Sequence, residues 1–374
     1  MILENSNECQ KHVLILTSEF PPLPGGIGQH AFDLAKHLSN FYEVKVIADQ
    51  RSVEGNEEAE FDKQQKFQIQ RVQRNQLILW TYLKRIVSSN RSFSRFDLVI
   101  ATGKFSLWQI HILKLLKGSK PVISIIHGSE VLLPSKYARK LTDTALKKSD
   151  MVVAVSNYTL DLVSHLKLKD SIVIPNGISS VQDYRKKEIG KETLHLITVG
   201  NLTQRKGQHN VIKALPEILK QFPHTHYHCV GLPTNLDQDK ALAQKLGVLN
   251  HVTFHGRLDE VKKNERYEAS HIFLMLSEKT STGDVEGFGI AILEANAYSI
   301  PAIGSKGCGI EDAIDHGKSG LLVNPHDSED VAGAITTLMH DYEEYQFNAH
   351  SHVQKFTWNS IIKSYNQIID KLCA

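Results

Sequence analysis

Two glutamates eight positions apart, Glu286 and Glu294, flank the turn Gly287-Phe288-Gly289-Ile290 in the run Glu-Gly-Phe-Gly-Ile-Ala-Ile-Leu-Glu. Carboxylates accept hydrogen bonds on both oxygens, so two of them suit the hydroxyls of a polyol. The glycines open a short apolar segment that Pro301 closes. A helix starting there presents free backbone N–H groups and a partial positive charge, which suits a phosphate or a polar sugar. Upstream, Gly200-Asn201-Leu202-Thr203-Gln204-Arg205-Lys206-Gly207 ends a strand and supplies two adjacent cations. Cations of this kind stabilise a diphosphate leaving group without a metal. The plain alternative is a solvated loop. Taken together, cations for a diphosphate and carboxylates for hydroxyls describe a site for a nucleotide sugar.

Other candidates are weaker singly. Gly25-Gly26-Ile27-Gly28 lies between a strand and a helix, where glycines let a ligand approach the backbone. It lacks the full dinucleotide fingerprint, but Asp49 ends the next strand about 20 residues on, where a ribose-binding acid would sit. His127 ends a strand and is followed by Gly128-Ser129-Glu130, which points it toward a ligand edge; a satisfied buried histidine is the plain alternative. Asp237-Gln238-Asp239 imitates a metal-binding Asp-x-Asp, but it opens a helical run, where acids suit the helix dipole. His224, His226 and His228 alternate as on one strand face, without neighbouring thiolates or carboxylates for zinc. Ser156 lies in no nucleophile elbow.

Short apolar strands alternating with amphipathic segments must position these groups. Strands are predicted at 13–17, 44–47, 98–100, 122–126, 151–155 and 172–174, with a helix over 29–39. A polar stretch over 180–192 reads as a linker, after which the alternation restarts at 194–199, 226–231, 252–254, 272–276, 301–304 and 321–323. The pattern predicts an α/β fold of two Rossmann-like domains facing a cleft at the strand C-terminal ends. The boundaries are 1–182 for the first domain and 190–356 for the second. Trp358, Ile361, Ile362, Tyr365, Ile368, Ile369 and Leu372 follow helical spacing, so 357–374 forms a closing helix with one apolar stripe.

With 41% hydrophobic and 22% charged residues, the 374-residue chain is an ordinary globular protein of about two domains. Cys9, Cys229, Cys308 and Cys373 are scattered, which argues for reduced thiols and a cytoplasmic setting. The first ten residues are polar and acidic, unlike a signal peptide, and no run reaches the roughly 20 apolar residues of a membrane span. Residues 63–148 carry 17 Lys and Arg against Asp97, Glu130 and Asp143, interleaved with Leu77-Ile78-Leu79-Trp80 and Leu107-Trp108-Gln109-Ile110. That mixture suits an anionic membrane surface; nucleic acid is not expected, because no reader motif accompanies the charge.

These motifs together resemble glycosyltransferase family 4, the retaining nucleotide-sugar transferases. The resemblance spans essentially the whole chain and is most specific over 198–207 and 286–294. It implies the GT-B architecture, with the last helix crossing back to the first domain. It implies that Arg205 and Lys206 hold the donor diphosphate, with Gly26, Gly28 and Gly200 near the donor. Glu286 is implied to bind sugar hydroxyls beside Gly287, Phe288, Gly289 and Ile290, Glu294 to bind ribose, and His127 to stand near the sugar. Catalytic roles fall to Glu286, His127, Arg205 and Lys206, with no cofactor and no metal. The implied acceptor is a glycan or glycolipid, in envelope polysaccharide or lipopolysaccharide synthesis at the inner membrane face. Cys308 stands where glycine is commoner, Ser179 where aspartate is, and Ser277–Val285 reads as an extended lip over the sugar pocket. Two other classes remain: a sugar-nucleotide epimerase of the same architecture, and an NAD(P)-dependent oxidoreductase resting on Gly28 and Asp49.

Overall fold

Runs of Val, Ile and Leu too short for helices form parallel strands buried on both faces. The structure, a computed structural model, describes residues 11–75, 77–117, 120–188 and 193–374. The amino-terminal segment with Cys9 and the last part of the expected linker, 189–192, lie outside them.

In chain order the elements begin β1 (His12–Thr17), α1 (Gly26–Leu38), β2 (Glu43–Gln50), α2 (Asn56–Lys63), β3 (Gln68–Gln73), α3 (Ile78–Phe93), β4 (Leu98–Thr102), α4 (Lys104–Lys117), β5 (Val122–Ile126), α5 (Lys136–Lys148), β6 (Met151–Ala154), α6 (Asn157–Asp161) and β7 (Ser171–Val173). They continue β8 (Leu194–Val199), a 3-10 turn (Gln204–Lys206), α7 (Gln208–Gln221), β9 (Thr225–Val230), α8 (Leu236–Lys245), β10 (Val252–Gly256), α9 (Glu260–Glu268) and β11 (Ile272–Met275). The chain finishes with α10 (Ile290–Ala297), β12 (Ala302–Ser305), β13 (Gly320–Val323), α11 (Ser328–His340), α12 (Tyr342–Val353) and α13 (Trp358–Leu372).

The chain divides into two compact units. The first takes the residues up to Val155, Val163–Ile174 and Trp358–Ala374; the second takes Ser156–Leu162 and Pro175–Thr357. The first unit's sheet has the order β3-β2-β1-β4-β5-β6-β7, and every pair is parallel. Its closing helix α13 buries Trp358, Ile361, Ile362, Tyr365, Ile368 and Ile369, the stripe expected from helical spacing. Within this unit the Trp358 indole stacks on His37 at 5.4 Å, and Lys371 bonds Asp170 at 2.7 Å.

The second unit's sheet runs β10-β9-β8-β11-β12-β13, again all parallel. One face packs Leu196, Tyr227, Cys229 and Leu274 into a core with Val211, Leu215 and Ile335. Strand alternation turns His195, His226 and His228 to the other face.

The compact first unit gives up Ser156–Leu162 and ends at Ile174, short of the expected 182. Hydrogen bonds explain this: Ser156 Oγ and Thr159 Oγ1 donate to the Gly287 carbonyl at 2.6 and 3.2 Å, and the Asn157 N–H donates to Asp312 at 3.0 Å. The stretch expected as a linker is also pinned. Just before it the Ile178 N–H donates to Phe356 O, and within it Gln346 bonds both the N–H and the carbonyl of Lys187 at 2.8 Å.

Candidate functional site

Strand β8 delivers the chain to Gly200, and the 3-10 turn then carries Arg205 and Lys206. Gly207 closes the turn at φ +75; a Cβ there would lie 1.8 Å from the Leu276 carbonyl oxygen. Only glycine fits, so the two cations are set hard against the end of β11. From that end the chain continues to Asp284 and Glu286. Arg205 pairs with Glu286 through one guanidinium nitrogen and with Asp284 at 3.1 Å, and Lys206 Nζ lies 2.8 Å from Glu286 Oε2.

Glu286 is only 8% exposed. Burial pushes its pKa up, but Lys206 and Arg205, helped by the Gly289 N–H, outweigh this and hold the carboxyl below its usual range. It is therefore an anion at neutral pH, shared by two cations. Gly289, at φ +91, turns the chain into α10. Phe288 is buried against Phe356, with centroids 5.9 Å apart, so its side chain is a packing group and only its backbone is available to a ligand. The Gly287 carbonyl is taken by the Ser156 and Thr159 hydroxyls. Ile290, half-buried, is the first residue of α10.

Arg205, Lys206 and Glu286 thus come together, and Glu294 has its own partners. The Tyr267 hydroxyl donates to Glu294 Oε2 at 2.9 Å, and Lys263 Nζ lies 3.8 Å from Oε1. A cavity of about 240 Å³ opens beside Glu286, lined by Tyr158, Glu278, Lys279, Lys306, Cys308 and His326 among others. Sequence reasoning passed over Glu278. It accepts from Gln204 Nε2 at 2.7 Å and Asn210 Nδ2 at 3.2 Å, with His209 and His326 at 3.4 and 3.5 Å. Its place just past a buried strand end was the available signal. Burial pushes the Cys308 thiol up to about 12, so it is a protonated wall group. The segment expected as a lip is closed on itself, with the Thr280 N–H bonded to the Asp284 carbonyl at 2.9 Å.

The first unit holds the remaining candidates. A Cβ on Gly26 would meet nothing within 4 Å, whereas one on Gly28 would lie 2.9 Å from the Glu19 carbonyl carbon. Gly26 is open, and Gly28 is demanded by packing of α1 on the preceding loop. His127, at the end of β5, bonds Thr102 Oγ1 at 2.9 Å; burial lowers its pKa to about 4, so it is neutral near pH 7. Glu130 accepts the His127 backbone N–H at 2.5 Å. It is 2% exposed, its Oε2 has no hydrogen-bond partner among the described residues, and burial pushes its pKa up to about 7.

Asp49 is not available to a ribose. It is buried and paired with Arg74 at 3.1 Å and Arg85 at 3.3 Å, which removes one of the two residues, Gly28 and Asp49, on which the oxidoreductase alternative rested. Asp237 and Asp239 stand in the first turn of α8, as expected of helix-start acids. His224 precedes β9, while His226 and His228 lie on it. Among the described residues no three His, Cys, Asp or Glu side chains gather as a metal site. The imidazoles bond each other instead: His195 Nδ1 to His228 Nε2 at 3.1 Å, and His228 Nδ1 to His255 Nε2 at 3.0 Å. On α3, Leu79, Trp80, Leu83 and Val87 are exposed. No helix among the described residues is long and apolar enough to cross a membrane.

Comparison with known proteins bears on the family and the fold. Residues 24–181 match the family model described as Glycosyltransferase Family 4, and residues 181–350 the model described as Glycosyl transferases group 1. One similar protein is the GDP-mannose-dependent alpha-(1-6)-phosphatidylinositol monomannoside mannosyltransferase of Mycobacterium tuberculosis, 30% identical over 60% of this chain. The match spans 62% of that protein's length. A protein of the same name from Mycolicibacterium smegmatis is 25% identical over 88% of this chain and 89% of its own. Among solved structures, Anabaena HepE in complex with UDP and glucose superposes with a TM-score of 0.79 at 19% identity, over 97% of this chain and 100% of that one. Two Rossmann-like units of the GT-B class, with two adjoining family models spanning residues 24 to 350, lead to one conclusion: the chain belongs to glycosyltransferase family 4.

Proposed function

We propose that this protein transfers a hexose-type sugar from a nucleoside diphosphate sugar to a glycan or glycolipid acceptor, with retention at the anomeric carbon and without a metal. The observation that carries the proposal is the cluster in which the partly exposed cations Arg205 and Lys206 both pair with the buried Glu286. A donor diphosphate competes with Glu286 for the two cations, and Glu286 then accepts hydrogen bonds from the sugar hydroxyls. The bond from the anomeric carbon to the diphosphate oxygen breaks, and Arg205 and Lys206 stabilise the departing charge. The acceptor hydroxyl attacks from the same face, and its proton passes to the leaving phosphate, giving the glycoside and a nucleoside diphosphate. His127, neutral by virtue of its lowered pKa, is a hydrogen-bonding group rather than a cation.

The relatives named for phosphatidylinositol monomannoside support a lipid-linked acceptor, as in envelope polysaccharide or lipopolysaccharide assembly. In the same reading, α3 rests on the inner face of an anionic membrane. Its exposed Leu79, Trp80 and Leu83 enter the headgroup region, and Lys84 and Arg91 meet the lipid charge. Binding to phosphatidylglycerol vesicles that weakens with salt, and is lost in Trp80→Glu, is the expected behaviour.

The test of the reaction begins with a thermal-shift screen of UDP-, GDP- and ADP-sugars, in which a donor at 100 times its Kd stabilises by about 2.7 kcal/mol. The chosen donor, supplied with glycolipid extract and a chelator, should yield a glycoside whose anomeric coupling matches the donor's. Glu286→Ala and Lys206→Ala should be folded and inactive. An epimer formed from the donor alone, or activity that vanishes with chelator, would overturn the proposal.

A further inference from the structure

Glu294 is held in a way that its own motif does not reveal. Tyr267, on α9, is fully buried and donates its hydroxyl to Glu294 Oε2 at 2.9 Å. Its ring stacks on Tyr298, with centroids 5.4 Å apart and 14° between the planes. The helix end that carries it is pinned as well. Lys187 Nζ donates to the carbonyls of Tyr267 at 2.8 Å and Ser270 at 2.9 Å. The last carbonyls of a helix have no partner within the helix, so an ammonium there satisfies them and complements the dipole. Lys187 is in turn bracketed by Gln346, which bonds its N–H and its carbonyl.

The consequence concerns the shape of the carboxylate's offer. Glu294 projects from a half-exposed position on α10, where a glutamate ordinarily samples several rotamers. The phenol takes one direction at Oε2 and Lys263 Nζ lies 3.8 Å from Oε1, so the two contacts together restrain the orientation in which the carboxylate meets a ligand. A carboxylate fixed in this way does not lose side-chain freedom on gripping a ligand. Building on the reading of Glu294 as the ribose-binding acid, we propose that Tyr267 is the positioning residue that orients this carboxylate toward the ribose hydroxyls of the donor nucleoside. Lys187 clamps the helix end from which Tyr267 reaches.

The test uses the full chain and whichever of UDP, GDP or ADP raises its Tm most. Calorimetry then compares the affinity of that nucleoside diphosphate with that of its 2′,3′-dideoxy analogue. Wild type should favour the ribose form by about 10-fold or more, the scale of a charge-assisted hydrogen bond. Glu294→Ala should abolish the preference. Tyr267→Phe keeps the stacked ring, and should retain the affinity for the dideoxy analogue while the preference falls to about 2-fold. Lys187→Met, which leaves the phenol in place, should lower the same preference in part. A full preference in Tyr267→Phe, or an equal loss for both ligands, overturns the positioning role even if Glu294→Ala behaves as expected. An undiminished preference in Glu294→Ala instead refutes the ribose assignment itself. No binding of any of the three nucleotides sinks both.

Discussion

Replacing Glu130 with glutamine should stabilise the first unit increasingly as pH rises from 5 to 8. The Glu130 carboxyl is 2% exposed, and burial raises its pKa from 4.5 to about 7 against the pull of backbone N–H groups, including that of His127. The folded state therefore keeps its proton to higher pH than the unfolded chain. The stability this group contributes is complete below pH 4.5, declines as pH rises, and is gone above about 7. A shift from 4.5 to about 7, at 1.36 kcal/mol per pH unit, is worth about 3 kcal/mol in full, and about 2.5 kcal/mol falls between pH 5 and pH 8. Glutamine has no proton to lose, and its amide oxygen can still accept the His127 N–H. The assay is urea unfolding followed by tryptophan fluorescence, because Trp80, Trp108 and Trp358 all belong to the first unit. Wild type should lose about 2.5 kcal/mol relative to Glu130→Gln on going from pH 5 to pH 8. A difference that does not change with pH, or one that favours wild type at pH 8, would refute the buried-acid reasoning.

Two further substitutions probe the scaffold. Gly207→Ala combines a left-handed backbone with a Cβ 1.8 Å from the Leu276 oxygen; it should destabilise the second unit by about 3 kcal/mol or more and abolish the donor-induced thermal shift. Gly247→Ala, at φ +70 with nothing within 4 Å, carries only the strain, about 1 kcal/mol, and so serves as the control. Asp49→Asn leaves the buried Arg85 guanidinium without its counter-charge; it should cost about 3 kcal/mol in the tryptophan-monitored transition while donor affinity stays unchanged.

The fold was legible because its strands are apolar runs that periodicity separates from helices. The strand β3 escaped because Gln-Ile-Gln-Arg-Val-Gln is an edge strand with polar side chains on both faces, which reads as loop. The linker's fixed course escaped for a related reason. Lys187 looks like any polar linker residue until Tyr267 of α9 and Ser270 just beyond it supply two carbonyls for its amine and burial lowers its pKa to about 7. In the site, Arg205, Lys206 and Glu286 were readable as residue types beside glycine-bearing turns. Tyr267 and Glu278 were not, because each acquires its role from partners on other elements, and Glu130 was not, because its burial is set by the fold around it. Asp49 shows the converse. An acid at the end of a second strand serves a ribose or a guanidinium equally well, and Arg74 and Arg85, on later segments, decide between them.

The central claim is that Arg205 and Lys206 grip the donor's diphosphate. It is tested most directly by calorimetric affinities of Lys206→Ala for a nucleoside diphosphate and for the matching monophosphate. The account predicts a loss of about 10- to 100-fold for the diphosphate, the range of a hydrogen bond to a charged group, and little change for the monophosphate. Equal losses for both ligands, or none for the diphosphate, would contradict it.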